Sequence, residues 1–178
     1  MRQLQIAAFV FGMALYAAAR FWRLTDACLW FDEIFSVHAA EHGWGEILNF
    51  VALDLIHPPL FYVLLKLWIA AGGESLSWLR LFPVVLSLIA VFPFLRLCSE
   101  LKVGKWTRLL ALFLLAVNGS LIKYSQEVRM YAPLICLSLF SMCLFARYFV
   151  KGKSFVPLVV FNVLMVYTHY FGWFVFVT

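Results

Sequence analysis

The chain has 178 residues, of which 65% are hydrophobic and 13% are charged, whereas a soluble domain has roughly a quarter charged residues. The apolar residues form long blocks between short polar segments, which excludes an ordinary soluble core and predicts an all-α, polytopic membrane helix bundle. The net charge of +5 does not indicate nucleic-acid binding, because the basic residues lie beside the apolar blocks, as residues that orient membrane helices do.

The first apolar block covers residues 4–22 and predicts a first membrane span over residues 1–22. The alanines near its end also fit the cleavage site of a secretory signal peptide, which would be removed. Because several further apolar blocks follow, we favour an uncleaved span.

Residues 23–78 predict one long outer loop with amphipathic helices that lie on the membrane surface. Apolar residues recur in this loop at roughly helical spacing, with acidic residues between them. The apolar block at 58–71 is too short for a typical span and has Lys66 near its middle. Its two leading prolines suit the first turn of a helix, so we expect a third surface helix there.

The remaining apolar blocks, at 81–98, 109–122, 132–150 and 155–178, bring the expected number of spans to five or six. If 58–71 does not cross the membrane, eight of the fourteen basic residues fall on one side of it. Because basic residues are enriched on the cytoplasmic side, this side is then cytoplasmic, and it holds the N-terminus. If 58–71 does cross, the basic loop at 102–108 moves to the outside. We prefer the first arrangement, in which Glu100 is the one acidic residue inside.

An acidic pair, Asp32 and Glu33, follows the first span. In one interpretation Asp32 caps the next helix and Glu33 stabilises the positive end of its dipole. In the other, the pair is functional, because a charge at the centre of a membrane helix costs roughly 2.5 to 3.5 kcal/mol and is retained for a task.

Two further polar residues fall on the same predicted side. His57 precedes Pro58 and Pro59, which either simply begin a helix or hold the imidazole beside the acidic pair. Arg80 lies at the start of the second span, where a cation opposes the helix dipole. It either extends to the lipid headgroups or binds a phosphate group.

The segment 123–131 links the third and fourth predicted spans. Ser125 as N-cap and Glu127 in the first turn predict a helix start. Arg129 and Tyr131 continue into that helix, which indicates a polar pocket between helices. His169 is a further candidate, although the aromatic residues around it are typical of a membrane interface.

This order of elements, with an acidic pair, HPPLFY, an arginine-led span and SQEVRMY, resembles the membrane glycosyltransferases of the protein-mannosyltransferase type. The resemblance covers essentially the whole chain and is to family 39 and the related aminoarabinose transferases of lipid A. It implies the GT-C fold, of which residues 1–178 would be a single membrane-embedded domain and the N-terminal part, so we expect a C-terminally incomplete chain.

The resemblance also implies partners: a sugar donor on a polyprenyl phosphate, a hydroxyl acceptor on a glycolipid, cell-envelope polymer or protein, and the bilayer itself. It implies Asp32 as the catalytic carboxylate, with Glu33 beside it. The expected substrate-binding residues are His57, Arg80, Ser125, Glu127, Arg129 and Tyr131, together with His169. Some relatives use a divalent metal ion, for which Asp32 and Glu127 would be the ligands here, and no other cofactor is expected.

The predicted reaction is an inverting sugar transfer on the extracytoplasmic face of a bacterial inner or plasma membrane. Asp32 would take the proton of the acceptor hydroxyl, and Arg80 and Arg129 would stabilise the departing phosphate. Two alternatives are a lipid or small-molecule transporter or flippase, which would distribute polar residues through the middle of the bilayer, and a non-catalytic, truncated membrane protein.

Overall fold

The structure is a computed structural model, and it describes residues 2–54, 57–153 and 155–177. Within these ranges every regular element is a helix. In chain order the helices are α1 (Arg2–Phe21), α2 (Phe31–Glu41), α3 (Trp44–Asp54), α4 (Leu60–Gly72), α5 (Leu76–Glu100), α6 (Lys105–Val117), α7 (Gly119–Tyr124), α8 (Tyr131–Lys151), α9 (Phe155–Thr168) and α10 (Gly172–Val177).

The predicted all-α class and the presence of membrane-length helices are confirmed. In the described part of the chain, three helices are long and apolar enough to cross a bilayer: Gln3–Phe21, Leu76–Glu100 and Tyr131–Lys151. The predicted number was five or six. The difference arises because α9 has 14 residues and because the block at 109–122 is divided at Asn118, whose side chain accepts a hydrogen bond from the Leu121 N–H at 2.9 Å and begins α7.

The long helices pack in two sets, α5 with α8 and α1 with α6, and α9 lies against α8. Lys151 contacts Glu100 at 2.5 Å, so the C-terminal ends of α5 and α8 lie together. Arg80, near the start of α5, donates to the Leu24 carbonyl just after α1 at 2.9 Å. The end of α1 and the start of α5 therefore lie at the same end of the bundle.

We call the end of the bundle that holds the end of α1 and the starts of α5 and α8 the polar end. The opposite end, which holds Glu100 and Lys151, is the basic end.

Helices α2, α3 and α4 form a small apolar cluster at the polar end. Lys66, the cation in the middle of α4, donates to the carbonyls of Ala40 and His42 at 3.1 and 2.6 Å. It therefore caps the C-terminus of α2, where a cation stabilises the helix dipole. This contact gives α4 a structural reason to keep a lysine in an otherwise apolar sequence. The helix begins at Leu60, two residues after the first of the two prolines.

A buried cation, Arg20, joins α1 to α6. Its side chain donates to the carbonyls of Leu115 and Ala116 at 3.0 and 3.1 Å and lies over the Tyr16 ring. The break at Asn118 leaves these last carbonyls of α6 without partners in their own helix, and the guanidinium supplies the missing donors. Sequence reasoning did not single out Arg20. The signal for it was the break at Asn118, which leaves carbonyls of α6 to be bound by a donor on the neighbouring helix α1.

The prediction that Ser125 is an N-cap and Glu127 lies in the first turn of the next helix is wrong. Ser125 ends α7 and donates its hydroxyl to the Ile122 carbonyl at 2.7 Å, while α8 begins at Tyr131. The physical reason is tertiary: the Val128 N–H donates to a carboxylate on α2 and not to a helical carbonyl. Residues 125–130 are consequently a compact turn segment.

Candidate functional site

Glu33 lies at the centre of the polar end and joins three parts of the chain. Its side chain is 1% exposed. One carboxylate oxygen accepts the Val128 N–H at 2.8 Å, and the other accepts the Trp30 N–H at 3.1 Å and lies 3.5 Å from the Arg80 guanidinium. Both oxygens of this predicted catalytic residue are therefore engaged by other groups of the chain.

Arg80 is the cation that neutralises Glu33. Its guanidinium also donates to the carbonyls of Leu24 and Cys28 at 2.9 and 3.1 Å, and thereby holds the segment after α1 against the start of α5. Its Nε is buried and has no hydrogen-bond partner within the described ranges. The Arg80 side chain is buried and does not extend to lipid headgroups, while its role in binding a phosphate group stays a prediction.

Asp32 and Arg129 form the second pair of the site. The Asp32 side chain is 36% exposed, while that of Arg129 is 5% exposed, and the nearest guanidinium nitrogen lies 3.8 Å from the carboxylate. Arg129 reaches this position by donating to the Asp32 carbonyl at 3.1 Å and to the Ser36 hydroxyl at 3.2 Å. The same guanidinium lies 3.3 Å from Nε2 of His57. The structure thus brings together three of the predicted site residues, from α2, the segment before α4 and the segment before α8.

His57 lies on the rim of a cavity of about 450 Å³. The cavity is bounded by the end of α3, the two prolines, the end of α9 and Trp173. The His57 ring lies 6.3 Å from the ring of His169, which in turn lies 6.2 Å from Tyr131. Two more predicted residues, His169 after α9 and Tyr131 at the start of α8, are therefore close to His57 or to each other.

His169 is held as a neutral imidazole. Burial lowers the pKa of His169, and the neighbouring His57 and Arg129 lower this pKa further. Its Nδ1 accepts the backbone N–H of Phe171 at 3.0 Å, which requires an unprotonated nitrogen. The proton of this neutral imidazole is then on Nε2, which can donate a hydrogen bond, and the ring does not add a cation to the site.

A second cavity, of about 310 Å³, is lined by Glu33 together with Arg80, Lys123, Gln126 and Glu127. Glu127 is buried, with one oxygen 3.5 Å from Lys123 and the other without a hydrogen-bond partner in the described part of the chain. Burial raises the pKa of the Glu127 carboxyl, although Lys123 acts in the opposite direction. An unpaired buried oxygen facing a cavity can accept a hydrogen bond from a polar ligand.

Four of the predicted site residues line one of these two cavities, namely Glu33, His57, Arg80 and Glu127. Ser125 lines neither of them and, among the described residues, contacts no other predicted site residue through its hydroxyl. It is 2% exposed, and its hydroxyl is used within its own turn. Two contributors were missed by sequence reasoning. Gln126 donates to the carbonyls of Arg20 and Trp22 at 3.1 and 2.8 Å and fixes the segment 125–130 to the end of α1. Ser36 binds Arg129, and its position one helical turn after Asp32 was a usable signal.

The metal ligands named from the sequence do not form a metal site by themselves. Across the described ranges, no three His, Cys, Asp or Glu side chains are grouped so that they could hold a metal ion. Asp32 and Glu127 each face a cation, Arg129 and Lys123.

Comparison of the chain with protein-family models, with curated proteins and with solved structures gives no match.

Proposed function

We propose that this chain is part of a membrane glycosyltransferase that moves a sugar from a polyprenyl-phosphate donor to an acceptor hydroxyl. The observation that carries the proposal is the exposure of Asp32 beside buried Arg129. Asp32 has the most exposed side chain of the three carboxylates, at 36%, against 1% for Glu33 and 11% for Glu127.

The proposed reaction uses the site as follows. The acceptor oxygen attacks the anomeric carbon of the sugar and forms the new glycosidic bond, while Asp32 takes the hydroxyl proton. The bond from the anomeric carbon to the phosphate oxygen breaks, and the electron pair leaves with the polyprenyl phosphate. Arg129, aided by the nearby His57, stabilises the charge that develops on this phosphate.

The distribution of charge supports an extracytoplasmic site. The polar end holds the acidic pair and Glu127, whereas the basic end carries a dense set of lysines and arginines, which favour the cytoplasmic side. In the proposed GT-C arrangement, α6 with α7 runs beside α1 as a fourth span, and α9 runs beside α8 as a fifth. The N-terminus is then cytoplasmic, and the membrane is a bacterial inner or plasma membrane.

The test is an assay of membranes that contain this chain for release of polyprenyl phosphate from labelled polyprenyl-phosphate sugars. We expect Asp32→Asn to reduce the release about 10²- to 10⁴-fold, which is the usual contribution of a general base. The matched control is Asp26→Asn, because Asp26 is an exposed acid on the same segment that pairs with Arg23.

Full activity of Asp32→Asn would refute the assignment of the base. Movement of the intact lipid-linked sugar between leaflets, without release of polyprenyl phosphate, would favour a flippase.

A further inference from the structure

The basic end contains a charge cluster that the proposed function does not use. Glu100 lies 3.0 Å from Arg96, 3.9 Å from Arg147 and 2.5 Å from Lys151. One nearly buried acid therefore meets three cations, and the cluster keeps an excess of positive charge. The Nε of Arg147 is buried and has no hydrogen-bond partner in the described part of the chain.

The three cations are accessible from outside. Their side chains are between 36% and 48% exposed, while that of Glu100 is 5% exposed. Lys102 and Lys153, next to the ends of α5 and α8, are exposed as well. An anion that approaches this end therefore meets guanidinium and ammonium groups, with the carboxylate behind them.

An apolar cavity of about 590 Å³ begins beside the same cluster. Leu97 and Leu101 flank Glu100 in the chain, and Ala146 precedes Arg147; all three line the cavity. From there it continues between α8 and α9 as far as Ser141 and Asn162, which are hydrogen-bonded to each other. The cavity therefore runs from the charged end of the bundle toward its middle, and its lining is mostly apolar, with Ser141 and Asn162 as the polar residues.

We propose that this cleft binds one anionic phospholipid, with its phosphate on the cations around Glu100 and an acyl chain in the cavity between α8 and α9. Charge complementarity selects the anionic headgroup, since basic pockets between membrane helices are sites where such headgroups bind. The apolar lining and its direction select a hydrocarbon chain that lies along the helices. The proposal is independent of the sugar-transfer proposal, because the two sites lie at opposite ends of the bundle.

The experiment uses the full chain in nanodiscs of phosphatidylcholine mixed with phosphatidylglycerol, followed by native mass spectrometry of the lipids that the chain retains. We expect preferential retention of one phosphatidylglycerol. Removal of one cation near the headgroup, in Arg96→Gln, should weaken this preference about fivefold. Arg23→Gln is the matched control, because it removes an exposed cation at the polar end and should leave the preference unchanged.

A second variant tests the cavity without disturbing the charge cluster. Met142 lines the cavity and is 48% exposed, so Met142→Trp can fill the space without requiring a buried position. We expect it to reduce retention of phosphatidylglycerol while the fold, followed by circular dichroism, is unchanged. Equal retention of both lipids by the wild type, or unchanged retention in Met142→Trp, would overturn the proposal.

A second copy of the chain is the competing occupant. A Met142→Cys variant in a Cys28→Ser background places a thiol on the cavity and removes the one cysteine that is exposed in the structure. Efficient disulfide cross-linking of two copies at position 142 would show that protein covers the cavity, and would overturn the assignment of a lipid.

Discussion

Glu33→Gln tests whether the polar end depends on one buried carboxylate. The change retains the shape of the side chain but removes its charge and replaces one acceptor oxygen by an NH₂ group. That group must then face either a backbone N–H, from Trp30 or Val128, or the Arg80 guanidinium. Each of these is a donor, so the amide cannot reproduce the contacts of the carboxylate.

The size of the effect follows from the burial. The Glu33 side chain is 1% exposed and that of Arg80 is 9% exposed, and removal of one partner from a buried ion pair costs about 3–5 kcal/mol because the other charge remains uncompensated. The exposed pair of Asp26 with Arg23 provides the comparison. Loss of an exposed pair costs about 1 kcal/mol or less.

The assay is equilibrium unfolding by SDS in mild-detergent micelles, followed by tryptophan fluorescence and far-UV circular dichroism. The variants are Glu33→Gln, Arg80→Met, the double variant and Asp26→Asn. Because the two charges compensate each other, the double variant should lose less stability than the sum of the single variants, with a coupling of about 0.5–3 kcal/mol.

The reasoning is refuted if Glu33→Gln costs no more than Asp26→Asn, or if the effects of Glu33→Gln and Arg80→Met simply add. Either result would mean that the two buried charges do not depend on each other for their stability.

Two further predictions concern the same end of the molecule. Burial raises the pKa of Glu127 in the folded chain, so the protonated carboxyl stabilises the folded state. This stabilisation is fully present below the ordinary pKa of about 4.3 and is lost as the pH rises through the raised pKa of the folded chain. The SDS midpoint of the wild type should therefore fall over that range more steeply than that of Glu127→Gln, and equal slopes would contradict the prediction. Gly72→Ala would place its Cβ 2.1 Å from Trp78 and should cost about 1–3 kcal/mol. Gly45 lies in α3 with open space around it, so Gly45→Ala should instead stabilise the helix by up to about 1 kcal/mol. A loss of stability in Gly45→Ala equal to that in Gly72→Ala would refute the packing argument.

The composition and the apolar blocks were enough to predict a helical membrane protein, because the hydrophobic effect acts on every residue of a long apolar segment regardless of its neighbours in space. The same reasoning failed where a local signal competed with a distant contact. Ser125 looked like a helix start, but the Val128 N–H binds Glu33, 95 positions earlier in the chain. A capping pattern reports only the preferences of adjacent residues.

The acidic pair shows what only the tertiary structure decided. The sequence determined that Asp32 and Glu33 stand together at the start of α2, but successive residues of a helix point in directions about 100° apart. Which of them is buried depends on Arg80 and the segment 125–130, which approach from distant parts of the chain. Local sequence therefore placed two carboxylates at one end of the bundle, and long-range packing buried Glu33 while it left the Asp32 side chain 36% exposed.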